Sequence, residues 1–152
     1  MVSPELLRRY PHFAGVSYET LKKLAMLAEE KVIPAGTTLF QEWELANHLY
    51  LIVQGAVSVR FAVGREKPRT VDAIEAGDLA VWSALVEPYR TTGNGVTTRE
   101  TRLLAFEAPR LRELCREDPR LGYNLMTEVI KALISRLDGT RVQLAVADAT
   151  AA

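Results

Sequence analysis

Residues 49–61 read Leu-Tyr-Leu-Ile-Val-Gln-Gly-Ala-Val-Ser-Val-Arg-Phe. Two short runs rich in β-branched and aromatic residues, 49–53 and 56–61, flank Gly55, which is the pattern of two strands joined at a tight corner. The same grain extends outward from residue 32 to residue 106. Turn-forming residues fall at Pro34-Ala35-Gly36, Gly64, Pro68, Gly77-Asp78, Pro88 and Gly93-Asn94-Gly95. Those crowded intervals suit an antiparallel sandwich or barrel. Gly36, Gly55 and Gly77 are expected at corners where positive φ or close backbone approach excludes a Cβ.

Helical signals bracket this β region. Pro4 to Tyr10 can form a short helix that Pro11 stops, and Ser17 is a good N-cap for a second, with Val16 and Leu21 at staple positions. Between Asp78 and Leu85 alternation is lost, predicting one or two helical turns capped by Asp78. After Phe106 a helix over about 109–117 precedes Asp118-Pro119, which starts a last helix of about twenty residues. The expected organisation is therefore N-terminal helices over 1–31, a β-roll over 32–108 with a short internal helix near 79–85, C-terminal helices over 109–144 and a frayed tail over 145–152. The fold class is mainly β with flanking helices: a double-stranded, jelly-roll-like β-roll followed by a long C-terminal helix.

On that last helix Leu121, Leu125, Val129, Leu133 and Leu137 form one row, with Met126, Ile130 and Ile134 beside it. An apolar face wider than about 100° exceeds what packing against one small barrel requires. A homodimer through this helix is the simplest partner, with Leu125, Val129, Leu133 and Leu137 at its interface. The alternative is a helix folded wholly against its own domain.

Composition narrows the function. The chain has 152 residues, 48% hydrophobic and 25% charged, which fits one globular domain and excludes a fibrous or disordered class. Nineteen basic residues balance nineteen acidic ones, so nucleic-acid binding by this chain alone is not expected. Arg99, Arg102, Arg110, Arg112 and Arg116 interleave with Glu100, Glu107, Glu113 and Glu117, as on a solvated surface. The single cysteine, Cys115, and the lack of an apolar leader or membrane span point to cytoplasmic residence.

The order of elements and three motifs resemble the cyclic-nucleotide-binding domain, the effector module of the catabolite activator (CRP/FNR) regulators. The opening Leu6-Leu7-Arg8-Arg9-Tyr10-Pro11-His12-Phe13-Ala14-Gly15-Val16-Ser17 is like the family's "LL-x-x-x-P-x-F-x-G-L-S". Pro34-Ala35-Gly36-Thr37-Thr38-Leu39-Phe40 is like "P-x-G-x-x-L-F", and residues 49–57 follow "L-Y-x-I-x-x-G-x-V". The resemblance runs from Leu6 to about Leu137. It departs at Trp43-Glu44, where the family usually has Gly-Asp.

The resemblance implies a ligand cassette. In the family a cyclic phosphate is held by an arginine and by backbone amides at the start of the internal helix, while a glutamate takes the ribose hydroxyl. The pattern "G-D-x-x-G-E-x-A-L" maps onto Gly77-Asp78-Leu79-Ala80-Val81-Trp82-Ser83-Ala84-Leu85, and "P-R-[ST]-A" onto Pro88-Tyr89-Arg90-Thr91-Thr92 with one extra residue. Val81 stands for the glycine and Trp82 for the glutamate. The implied ligand-binding set is Ala80, Val81, Trp82 and Ser83 with Arg90, Thr91 and Thr92. Arg90 reads either as the anion-pairing residue or as a solvated loop arginine, and Trp82 either as a plug for the ribose pocket or as a stacking platform. Gly93-Asn94-Gly95 reads as a cradle for another anion or as a bulge or hairpin turn.

His12 and His48 lie in separate segments, and Glu42, Glu44 and His48 have no metal-ligand pattern, so no metal, haem or other cofactor is expected. Nucleophile-elbow, zincin and P-loop motifs do not occur in the sequence, so the expectation is a binding protein and not an enzyme. The expected function is a regulatory, effector-sensing module for a small anionic ligand, a cyclic nucleotide or another, with weak or altered specificity. A DNA-recognition helix after the long helix is not expected. The alternatives are a structural or protein-interaction module that binds no ligand, and a portion of a longer regulator.

Overall fold

The structure, a computed structural model, describes residues 2–151. Two short N-terminal pieces, α1 (Pro4–Arg8) and a 3-10 turn (Pro11–Phe13), lead into α2 (Tyr18–Leu27). Ser17 caps α2, its hydroxyl accepting from Thr20 N at 3.2 Å, as its position before the apolar run predicts. Eight strands follow: β1 (Ala28–Ile33), β2 (Thr38–Phe40), β3 (His48–Gln54), β4 (Ala56–Phe61), β5 (Arg69–Glu75), β6 (Leu79–Ala80), β7 (Asn94–Thr97) and β8 (Thr101–Glu107). They form two four-stranded antiparallel sheets, ordered β1-β8-β3-β6 and β2-β7-β4-β5. The chain closes with α3 (Ala108–Glu117) and α4 (Pro119–Ala151).

The stretch that decided the fold lies where two cores meet. Leu49 and Leu51 of β3, with Leu104 and Phe106 of β8, pack against the helices in a core that includes Leu7, Phe13, Leu21, Leu24, Leu111 and Leu121. Ile52, Leu103 and Ala105 point the other way, into the interior of the roll with Phe40, Val57 and Ile74. Burial on both faces is why these strands read as continuous apolar runs. At the β3–β4 corner Gly55 takes φ +110°, and a Cβ there would lie 2.5 Å from Thr101 Oγ1, so the corner requires glycine.

Three boundaries differ from expectation. The sheet begins at Ala28, four residues before the predicted start of the roll, and α2 is correspondingly shorter. Glu29-Glu30-Lys31 has little strand propensity, but the segment is an edge strand whose backbone pairs with β8 from Ala28–Phe106 to Ile33–Thr101. The internal helix is only a 3-10 turn, Trp82–Leu85, because Leu79 and Ala80 pair with Leu51 and Tyr50 as β6. Asp78 does not cap that turn; its carboxylate accepts from Glu75 N at 2.9 Å. Finally, α4 extends over 33 residues, so the segment predicted to fray from Ala145 is helical through Ala151, with Ala152 outside the described residues. Its alanine-rich end has high helix propensity and no breaker.

The long helix also divides in two. Leu121, Leu125 and Val129 are buried against the chain's own core, whereas Ile130, Leu133, Ile134 and Leu137 are exposed. Leu125 and Val129 are thus intrachain core residues and not the free surface predicted for a dimer interface. The wide apolar face has two destinations along its length, not two across its width.

Candidate functional site

The site forms where the 3-10 turn of residues 82–85 meets β5 and the middle of α4. Val81 precedes this turn in the left-handed region, φ 66° and ψ 56°. That conformation costs a non-glycine residue roughly 1–2 kcal/mol, and for Val81 packing against both cores offsets it. Trp82 then projects toward α4, its Nε1 donating to Leu79 O at 3.2 Å. Arg136 of α4 lays its guanidinium over the indole, 4.0 Å from the ring centroid, and its Nε is paired with the carboxylate of Asp72 on β5. Both side chains are only about a quarter exposed, 26% for Arg136 and 28% for Asp72. Burial pulls Arg136 below the ordinary arginine value, opposed by Asp72 and Asp78, yet a guanidinium remains charged across the physiological range.

This Asp72–Arg136–Trp82 cluster separates two cavities between the roll and α4. The larger, about 500 Å³, has apolar walls of Val59, Phe61 and Val71 and a polar rim that includes Thr92, Ser135, Thr140 and Gln143. The smaller, about 380 Å³, lies toward His12, Asp78, Glu128 and Lys131. His12 is only 5% exposed, and its Nδ1 is buried with no hydrogen-bond partner among the described residues. Burial lowers its pKa, an effect that Glu128 and Asp78 oppose.

The predicted ligand residues are distributed unevenly about these cavities. Trp82 lines both and Thr92 lines the larger. Arg90 lines neither; its backbone bridges Leu45, and among the described residues its guanidinium forms no ion pair. Thr91 is buried and serves the 41–44 loop, its hydroxyl donating to Gln41 O and accepting from Glu44 N at 2.9 Å. Ala80 is buried in β6 and Ser83 sits within the 3-10 turn. Of the readings for Gly93-Asn94-Gly95, the bulge fits the strand pairing: Asn94 and Gly95 open β7 opposite an irregular register at Phe40, while Gly93 lines the larger cavity. A Cβ on Gly95 would lie 2.2 Å from the Phe40 ring, so the glycine exists to admit that ring.

Two residues of the site were not anticipated. Arg136 occupies the position at the cavity that Arg90 was expected to hold. Its helix presents Ala132, Ser135, Arg136, Gly139, Thr140 and Gln143 to the cavities, a small and polar stripe at spacings of three and four that is legible in the sequence. Arg112 of α3 clamps the cassette from behind, donating from Nη1 to Ala84 O at 2.7 Å and stacking 3.9 Å from the Tyr89 ring centroid. Cys115 is partly buried nearby, its thiol pushed up to about 11 by burial, which disfavours the thiolate. Among the described residues no cluster of His, Cys, Asp and Glu could hold a metal ion, and no helix is long and apolar enough to cross a membrane.

A β-roll joined to a long helix, with a turn-and-loop cassette between them, defines a class, and a family model for the cyclic nucleotide-binding domain matches residues 30–118. The chain belongs to that family. Over 143 residues it is 27% identical to the CRP-like cAMP-activated global transcriptional regulator of Mycobacterium tuberculosis, a match covering 93% of this chain and 61% of the relative. A solved structure from Geobacter metallireducens GS-15 assigned to the cyclic nucleotide-binding proteins is 34% identical, with a TM-score of 0.78 over 90% of this chain and 99% of that one. The catabolite activator protein of Thermus thermophilus shares the fold, with a TM-score of 0.71 at 23% identity over 91% of this chain and 63% of that one. The chain therefore spans about 61% of the length of the curated relative.

Proposed function

We propose that the chain is the ligand-sensing module of a regulator, taking a small molecule in the larger cavity and reporting its presence through α4. The observation that carries this is the composition of the cavity wall. Strands β4 and β5 supply Val59, Phe61 and Val71, while α4 supplies Ser135, Arg136, Gly139, Thr140 and Gln143. An occupant touches both bodies at once, so its binding energy depends on how the helix is docked, which is the condition for coupling a ligand to a conformational equilibrium. The exposed residues Ile130, Leu133, Ile134 and Leu137, with Leu144 beyond them, recur at coiled-coil spacing and are the output surface for a second copy of the helix.

Cyclic nucleotides are weak ligands on this account. An indole donates one N–H and offers no acceptor for a ribose hydroxyl. Losing a charge-assisted hydrogen bond costs about 1.5–3 kcal/mol, or roughly one to two decades of affinity. The second reading, an interaction module that takes no ligand, draws support from the Arg136 guanidinium already stacked on Trp82. A thermal-shift panel of nucleosides, cyclic nucleotides and organic acids separates the two. A ligand at a hundred times its Kd stabilises by about 2.7 kcal/mol, several degrees for a domain of this size. A melting point unmoved by every compound, for the wild type and Arg136→Gln alike, would leave the interaction module as the function.

A further inference from the structure

The charge inventory of the larger cavity determines what it selects. Its hydrogen-bonding groups include the hydroxyls of Thr92, Ser135 and Thr140 and the carboxamide of Gln143, all neutral. Among the described residues its only charged side chains are Asp72 and Arg136, and they are paired to each other. The guanidinium is further held by the Trp82 face at 4.0 Å, so it is not free to turn toward an incoming ligand. An anion entering this space meets a cation that is already neutralised, and it leaves water for a wall with no net charge to receive it. Desolvating a charge without a counter-charge is strongly unfavourable, whereas a neutral ring with hydrogen-bonding edges meets matching partners. The volume, about 500 Å³, falls within the roughly 300–1,000 Å³ typical of small-molecule sites.

We propose that Asp72 is a specificity-determining residue: by neutralising Arg136 it sets the cavity to prefer an uncharged, ring-bearing ligand over the anionic form of the same molecule. The proposal rests on the larger cavity being the ligand site, and it replaces the expectation of an anionic ligand paired with Arg90. Removing the carboxylate should free the guanidinium and reverse the preference.

Adenosine and adenosine 3′,5′-cyclic monophosphate share base and sugar and differ by the phosphodiester charge, which makes their affinity ratio the readout. Calorimetry on the wild type, Asp72→Asn, Arg136→Gln and the double variant measures it, and a ratio is insensitive to the fraction of protein folded. Adenosine should bind the wild type more tightly than the cyclic nucleotide. Asp72→Asn should shift the ratio toward the cyclic nucleotide by about tenfold or more, and adding Arg136→Gln should abolish that shift. Binding of both compounds with a ratio that Asp72→Asn leaves unchanged overturns the charge selection while leaving the ligand site standing. A shift that persists without Arg136 overturns it too, because the anion is then held elsewhere. Failure of both compounds to bind the wild type and Asp72→Asn at millimolar concentration removes the ligand site and the proposal with it.

Discussion

Truncating one leucine in each half of α4 tests the division of that helix directly. Leu125 is 1% exposed and sits in the core between the helices and the roll, while Leu137, three turns further on, is 50% exposed. A fully buried leucine cut to alanine loses transfer free energy and leaves a cavity, together about 2–5 kcal/mol. Leu137 keeps half its surface in water within the single chain. Its loss removes at most about half of the roughly 1.5–3 kcal/mol that full burial provides, and leaves no enclosed void. For a domain near 150 residues each kcal/mol moves Tm by about 2–4 °C. Leu125→Ala should therefore lower Tm by about 10 °C, and Leu137→Ala by less than about 6 °C, in calorimetry at a concentration where the chain is monomeric. Repeating the scan at a hundredfold higher concentration tests the proposed output surface: Leu137→Ala should then lose more relative to wild type, and Leu125→Ala no more than before. Equal penalties for the two variants in the monomer would refute the assignment of Leu125 to the intrachain core and of Leu137 to a free surface.

Two further outcomes follow from the site's surroundings. Gly95→Ala should destabilise by about 1–3 kcal/mol, the usual range for overpacking, because its methyl would meet the Phe40 ring; Phe40→Leu in the same chain should recover part of the loss, and simple additivity in denaturant titrations would show that the contact is not the cause. His12→Leu should raise stability by about 1 kcal/mol at pH 7.5, through removal of a buried polar atom without a partner. The gain should grow on acidification. Burial holds the folded imidazole below the unfolded value of 6.5, so below that pH the unfolded chain takes up the proton more readily and the wild type loses stability until the folded imidazole also titrates. A gain of the same size at pH 5 and pH 7.5 would mean that burial does not perturb His12.

What the sequence revealed was mostly backbone, and what it concealed was mostly side-chain company. The positions where the family pattern has glycine but this chain has Trp43 and Val81 still take φ 62° and φ 66°. The corner geometry is imposed by the roll, and it outlasts the residue that made it easy. The same conservatism explains why the strands around Gly55 were legible and β1 was not: β1 exists through pairing with β8, an influence no local propensity carries. The role expected of Arg90 depended on alignment to a motif with one extra residue inserted, and Tyr89, at that insertion, adopts φ 59°. Nothing local to Arg90 could have disclosed that Arg136, 46 positions later, would lie against Trp82. Leu125 and Leu137 are equivalent by periodicity and differ only in what the folded chain brings to them.

The length of α4 gives the site a mechanical consequence. Its turns buried in the core end near Val129, and the roughly 22 residues beyond extend about 33 Å at 1.5 Å per residue. Arg136 grips this rod about a third of the way along. A tilt of about 5° around the anchored end displaces the far tip by about 3 Å, several times the movement at the indole. In the proposed sensor, a small rearrangement at the Arg136 grip would thereby be magnified into a displacement that a partner of the helix could register.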